Sequence, residues 1–304
     1  MRIPIRLTAA GVPILLVLSA CMGTDSLGGE EEGGSGGDRS RVVVGSTGTP
    51  ESALLAEIYA QAIEATGERV RTDHGIGSRE DYFREVERGR LTLVPEYNGA
   101  VLAHLDPESE PADTERTDER VNEELPVGME ILGSTPAESV TAVTVTRATA
   151  ERDDLASIAD LSGVAGDLVF GGQPEFESGP RGLAGLEERY DLAFAEYRPM
   201  GAREVPEALA ADDIQAAPIR TADAAIAEHD LVPLEDPEDH FGAGNMVPLV
   251  HGDSVDGPAR EALDAASAEL DSTEDLRELN EQVGSGGEAP DAVAADWLES
   301  AGLD

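Results

Sequence analysis

Apolar positions follow their clearest pattern between residues 41 and 100. Val42, Val43 and Val44 form a β-branched run of the kind that suits a strand buried on both faces. Gly45-Ser46-Thr47-Gly48 breaks that run, and Thr49 then reads as a helix N-cap with Pro50 at the first helical position. Leu54, Leu55, Ile58, Tyr59, Ala62 and Ile63 recur at helical spacing until Gly67 supplies the stop. Ser78 and Asp81 form a capping-box-like start to a second helix through Tyr82, Phe83 and Val86, ended by Gly89. A strand over 91–94 runs on to Pro95-Glu96-Tyr97. Two strand ends therefore face one crevice, where ligands bind in open α/β sheets.

The same pattern continues downstream. Residues 106–124, rich in acids, Pro and Thr, read as a surface excursion with at most a short helix over 118–125. VTAVTVT at 140–146 alternates as a strand does, and further strands are expected over 167–170, 194–197, 214–216 and 245–250. Helices are expected over 155–161, 182–190, 205–211 and 222–228, and three more over 259–270, 273–283 and 290–300, the last carrying Trp297. Strands alternating with helices argue for parallel α/β sheets, and their number argues for two lobes. The three terminal helices have no strands of their own and are expected to cover the first sheet. The expected division is 41–144 with 248–304 as one lobe and 145–247 as the other. The crossings then fall near 144–147 and 244–248.

Charge narrows the partners. The 304 residues hold 21 Arg and no Lys against 63 acids, a formal net charge of -42, which excludes nucleic acid as a favoured partner. Such a chain repels itself at low salt, whereas at ~1 M salt a Debye length of ~3 Å screens most of the repulsion. A salt-adapted source and an acidic secreted protein both fit. Residues 1–20 pair a short Arg-containing n-region with an apolar stretch too short to span a bilayer, so they read as a signal peptide. Leu18-Ser19-Ala20-Cys21 resembles a bacterial lipobox, with Cys21, the one cysteine, as the lipidated residue. The Gly, Ser and acid-rich 21–40 then serves as a flexible tether.

Candidate chemistry is non-catalytic. The five histidines are scattered without metal-ligand spacing, and no nucleophile motif or phosphate loop occurs, so neither a metal nor a cofactor is expected. The helix beginning at Pro50 aims free N–H groups at Ser46 and Thr47, a seat for a carboxylate. Tyr97 sits at a strand end between Pro95-Glu96 and Asn98-Gly99, and Asn98 joins it as a candidate; Asn245 opens the last strand at the second crossing.

VVVGSTGTPESALLAEIYAQAIEATG, LVPEYNGAVL, DLVFGGQPEFESGPRGLAGLEERYDL, LVPLEDPEDHFGAGNMVPLV, STEDLRELNEQV and AADWLESAGL occur in that order, and together they resemble the osmoprotectant ABC-transporter substrate-binding proteins, the binders of glycine betaine, choline and carnitine. The resemblance implies a type II periplasmic-binding-protein fold: two α/β lobes joined by two crossover segments and closing on a quaternary amine or other small polar solute. It also implies ABC permease subunits as partners and a place on the extracytoplasmic face of the membrane. Tyr97 matches a wall of the family's aromatic cage and Glu175 an acidic site residue. The sequence departs elsewhere: Thr47 stands where many relatives carry a lysine, Thr141, Arg220 and Gly244 where cage tyrosines are usual, and Gly179 where an arginine pairs with the ligand carboxylate. Arg181 is positioned to replace that arginine.

A desolvated ring over a quaternary ammonium contributes ~2 kcal/mol, so three missing rings remove on the order of 6 kcal/mol, about four decades in affinity. Either Phe176, Tyr197 or Phe241 refills the cage, or the ligand is more polar or anionic, with betaine and choline bound weakly. Two other classes fit the sequence: a binding lipoprotein of the same fold serving a sensor or the cell wall, and a secreted two-lobed hydrolase with a paired acid and base.

Overall fold

The structure, a computed structural model, describes residues 42–304 except Asp256. The expected signal segment, Cys21 and the 21–40 tether lie outside the described residues. The chain opens with β1 (Val42–Gly45), α1 (Pro50–Ala65), β2 (Val70–Asp73), α2 (Arg79–Glu87), β3 (Leu93–Tyr97), α3 (Asn98–Leu105), α4 (Thr114–Glu124) and β4 (Met129–Ile131). It continues with β5 (Thr141–Thr146), α5 (Arg147–Asp153), β6 (Val169–Gly172), α6 (Leu183–Tyr190), β7 (Glu196–Pro199), α7 (Val205–Ala210), β8 (Ala217–Arg220), α8 (Ala225–Glu228) and β9 (Leu231–Pro233). It closes with β10 (Met246–His251), α9 (Gly257–Glu269), α10 (Thr273–Val283) and α11 (Pro290–Ala301).

The local signals at the start of the chain operate as physics requires. Thr49 accepts a hydrogen bond from Ser52 N with Pro50 at the first helical position, and the Ser78–Asp81 capping box forms. Gly67 and Gly89 end α1 and α2 at φ +89° and +65°, a region that costs side-chain-bearing residues strain. The helix expected over 118–125 instead begins at Thr114, because the Asp113 side chain caps Arg116 N.

The first sheet runs β2-β1-β3-β10-β4. Alternation along its strands divides the core. Val42, Val44 and Leu93 join α1, α9, α10 and α11 on one face, while Val94, Val247 and Leu249 join α2, α3 and α4 on the other. The terminal helices do return to this sheet: Leu263, Leu276 and Leu298 share a core with Ile58. Two smaller sheets build the second lobe, β8-β5-β9 and β6-β7.

The expectation of parallel sheets needs correction. β1 pairs parallel with β2 and β3, but β10 runs antiparallel to β3 and β4, and β5 antiparallel to β8 and β9. The reason is topological. β3 ends at the crevice with Tyr97 opposite Met246, the residue where β10 re-enters from the second lobe, so the two must run in opposite senses. All of β5 lies in the second sheet, and the passage is made by the residues around Glu138, which bridges Asn245, and by Ser139 N donating to Gly244 O. Met246 and Val247 already belong to the first sheet, so the return passage precedes them.

Candidate functional site

The loop after β1 is more fully committed than its sequence suggests. Ser46 is fully buried, its Oγ lies 2.7 Å from His74 Nδ1, and His74 Nε2 lies 2.8 Å from Glu57 Oε1. Ser46 N donates to Asp73 O and Thr47 N to Ser52 Oγ. The backbone N–H groups of Ser46 and Thr47 are therefore spent inside the lobe. Thr47 still lines the crevice; Ser46 does not.

Tyr97, the last residue of β3, is held from three sides. Its hydroxyl donates to Glu51 Oε1 at 2.9 Å, and its backbone N donates to Glu96 Oε2 at 3.0 Å. The guanidinium carbon of Arg220, at the end of β8 in the other lobe, stands 4.6 Å from its ring centroid. Burial first, and the Glu51 carboxylate second, push the Tyr97 hydroxyl well above its ordinary value, so it remains a donor. Glu51 Oε2 accepts from Asn280 Nδ2, which also donates to Ala222 O just past β8. Beneath this, buried Glu96 takes a two-point grip from Arg79 at 2.9 and 3.2 Å.

Two adjoining cavities meet at Arg220. One of about 510 Å³ is lined by Thr47, Glu51, Arg79, Tyr97 and Asn280. The other, about 590 Å³, is lined by Thr141, Glu175, Phe176, Arg181 and Ile219. Arg220 and Asp223 line both. Thr47 and Tyr97 thus line one cavity, Thr141 and Glu175 the other, and Arg220 both. Asn98 and Asn245 do not line either cavity. Asn98 Oδ1 accepts from Gly99 N and Asn245 N, while Asn245 donates to Thr135 O and accepts from Thr114, so both pin the crossing segments.

Of the three rings considered for the cage, one lines a cavity. Phe176 reaches the larger cavity, but it lies parallel to Phe170 at 5.8 Å; Tyr197 and Phe241 stack on Phe170 and Phe176 within the second lobe. Arg181, the candidate replacement arginine, donates to Ser109 O at 2.8 Å across the lobes. Glu51, Arg79, Asp223 and Asn280 also line the cavities, and the sequence reading did not single them out. Asn280 left a usable signal, a polar residue on the buried stripe of Leu276, Leu279 and Val283. No group of three or more His, Cys, Asp or Glu able to hold a metal occurs among the described residues.

His240, 3% exposed, packs edge-on to Phe241 with its Nε2 unpartnered among the described residues. Burial holds its imidazole below the ordinary 6.5, Arg189 pushes the same way and Asp236 opposes. The folded protein keeps this ring neutral where the unfolded chain charges it, so the linked stability is intact above pH ~6.5 and lost as pH falls below it. The urea midpoint should drop between pH 7 and 5.5, and His240→Phe should flatten part of that drop. An unchanged slope in the variant would assign the pH dependence to other groups.

Two α/β lobes joined by two crossovers around a cleft define a type II periplasmic-binding-protein fold. Residues 40–300 match the substrate binding domain of the ABC-type glycine betaine transport system, and the chain belongs to that family. It is 27% identical over 271 residues to the glycine-betaine-binding protein of Pseudomonas aeruginosa, spanning 82% of this chain and 84% of that one. The solved structure of a glycine betaine/carnitine/choline ABC transporter protein is similar over 86% of this chain and 99% of its own, with TM-score 0.80 at 20% identity. Apo YehZ from Escherichia coli is similar over 87% and 100%, with TM-score 0.73 at 24% identity. The chain is accordingly the extracytoplasmic substrate-binding component of an ABC importer of this family. No helix among the described residues is long and apolar enough to cross a membrane.

Proposed function

We propose that the paired cavities around Arg220 are the solute site, and that the lobes close there on one small polar molecule of the betaine and choline class and hand it to an ABC permease. The observation that carries this reading is the Tyr97–Arg220 contact: it joins the first lobe to the second at the point where both cavities meet. Thr47, Glu51, Tyr97 and Asn280 form the first-lobe wall, and Thr141, Glu175, Arg220 and Asp223 the second. The lobes themselves are assigned as 42–139 with 245–304 and 140–244. The role is that of a carrier without catalysis. Titration calorimetry with glycine betaine, choline and dimethylglycine tests the reading. It expects saturable one-to-one binding of at least one solute, weakened by Tyr97→Ala; heat from none of them would contradict it.

The attachment proposed is a signal peptide over 1–20, a lipidated Cys21 and a tether over 21–40. Stable anchoring takes more than one acyl chain at ~0.8 kcal/mol per buried CH₂. Cys21→Ala should therefore release the protein from the membrane fraction or block its processing, and a variant that fractionates and migrates like the parent would refute the anchor.

A further inference from the structure

Taking the cleft as the solute site, we infer that its ligand is a small zwitterion: a carboxylate held by the Arg220 fork and an N–H-bearing ammonium facing Glu175 and Asp223. A trimethylammonium without a carboxylate is rejected.

Arg220 carries the argument. Its Nε donates to Ser139 Oγ at 2.9 Å and its guanidinium carbon lies over Tyr97, so the plane is fixed by a residue of the crossing and a ring of the opposite lobe. Its two terminal nitrogens have no partner among the described residues, and the residue lines both cavities. A planar fork with two free N–H edges matches a carboxylate bidentately. The same placement removes the surface a quaternary ammonium needs: the ring face that would attract an onium group already holds a guanidinium, and a second cation there meets a like charge. Two further rings line the cavities: Phe176 is stacked over Phe170, and Tyr82 is 1% exposed with its hydroxyl accepting from Arg79 Nε.

The cationic end has a different complement. Glu175 makes no hydrogen bond among the described residues, and Asp223 uses one oxygen to cap Ala225 N, leaving the other free. Both line the cavity with Arg220. Unpaired carboxylate oxygens reward N–H donors, which a trimethylammonium lacks. Asn280 adds a buried Oδ1 acceptor without a partner in the adjoining cavity wall.

Glycine betaine and choline share the trimethylammonium and differ in carboxylate against hydroxymethyl, while dimethylglycine keeps the carboxylate and gains one N–H. Calorimetry on the full folded protein should rank dimethylglycine first, glycine betaine about 10-fold weaker, and choline a further ~10- to 100-fold weaker, the span of a hydrogen bond to a charged group. Arg220→Gln should remove the carboxylate's share of the affinity, bringing glycine betaine down to the level of choline and leaving dimethylglycine about 10-fold above both. Arg220→Lys, which keeps charge but loses the fork, should recover part of the loss, and unliganded melting curves confirm that the variants fold. Choline binding as tightly as dimethylglycine, or an Arg220→Gln variant that keeps glycine betaine ahead of choline by the parent margin, overturns the zwitterion assignment while leaving the cleft as the solute site. Heat from none of the three overturns both.

Discussion

Phe170→Ala should destabilise the protein by about 3–5 kcal/mol and lower its melting temperature by roughly 10 °C. Phe170 is fully buried in β6 and forms the hub of the second lobe's aromatic cluster, with ring centroids 4.9 Å from Phe194, 5.8 Å from Phe176 and 6.2 Å from Tyr197. Truncation removes the transfer free energy of the ring and leaves a void that a bridged strand, Phe170 pairing with Ala216, is poorly placed to fill. The effect also reaches the cleft, because Phe176 stacks on Phe170 and lines the larger cavity. Solute affinity should fall along with stability. A loss below about 1 kcal/mol in urea unfolding would mean that the cluster is loosely packed and that Phe176 is held by something else.

Arg79→Ala should cost about 3 kcal/mol, because it strands Glu96 as a buried carboxylate with Tyr97 N as its remaining donor. Arg79 also donates to the Tyr82 hydroxyl, so one guanidinium ties α2 to the end of β3. The cost is a penalty for leaving a charge unpaired more than a measure of the pair's worth. Removing both charges tests that distinction. Arg79→Met combined with Glu96→Gln should recover most of the loss, and a double variant as unstable as Arg79→Ala would show that the pair itself stabilises the sheet. Because Glu96 directs the backbone N of Tyr97, the single variant should also weaken solute binding.

Legibility in the sequence follows from how local the determinants are. The β1–α1 unit was readable because a β-branched run, a Thr-Pro cap and a Gly stop are each set by a few adjacent residues. β2, β4 and β9 were missed: they are three or four residues long, and β2 buries one side chain, so no alternation accumulates. The antiparallel entry of β10 depends on where the chain returns from the other lobe, which no local pattern encodes. Tyr97 was singled out by its strand-end position and by family pattern, Glu175 and Arg220 by family pattern, and all three line the cavities. Glu51 was not, since an acid in a helix's first turn reads as ordinary capping electrostatics until the Tyr97 hydroxyl is placed beside it. Ser46, Asn98 and Asn245 stood at the right strand ends, yet their hydrogen-bonding capacity is spent holding loops and crossings.

Closure of two lobes on a zwitterion is the central claim, and small-angle scattering reads it directly. The lobes touch through Tyr97–Arg220, Asn280–Ala222 and Arg181–Ser109, contacts that a bound solute in the same cleft reinforces and an empty cleft can release. Saturation with dimethylglycine should reduce the radius of gyration relative to the unliganded protein, and Arg220→Gln at the same solute concentration should keep the larger value. An identical radius with and without saturating solute, in a protein shown by calorimetry to bind it, would contradict a closing trap.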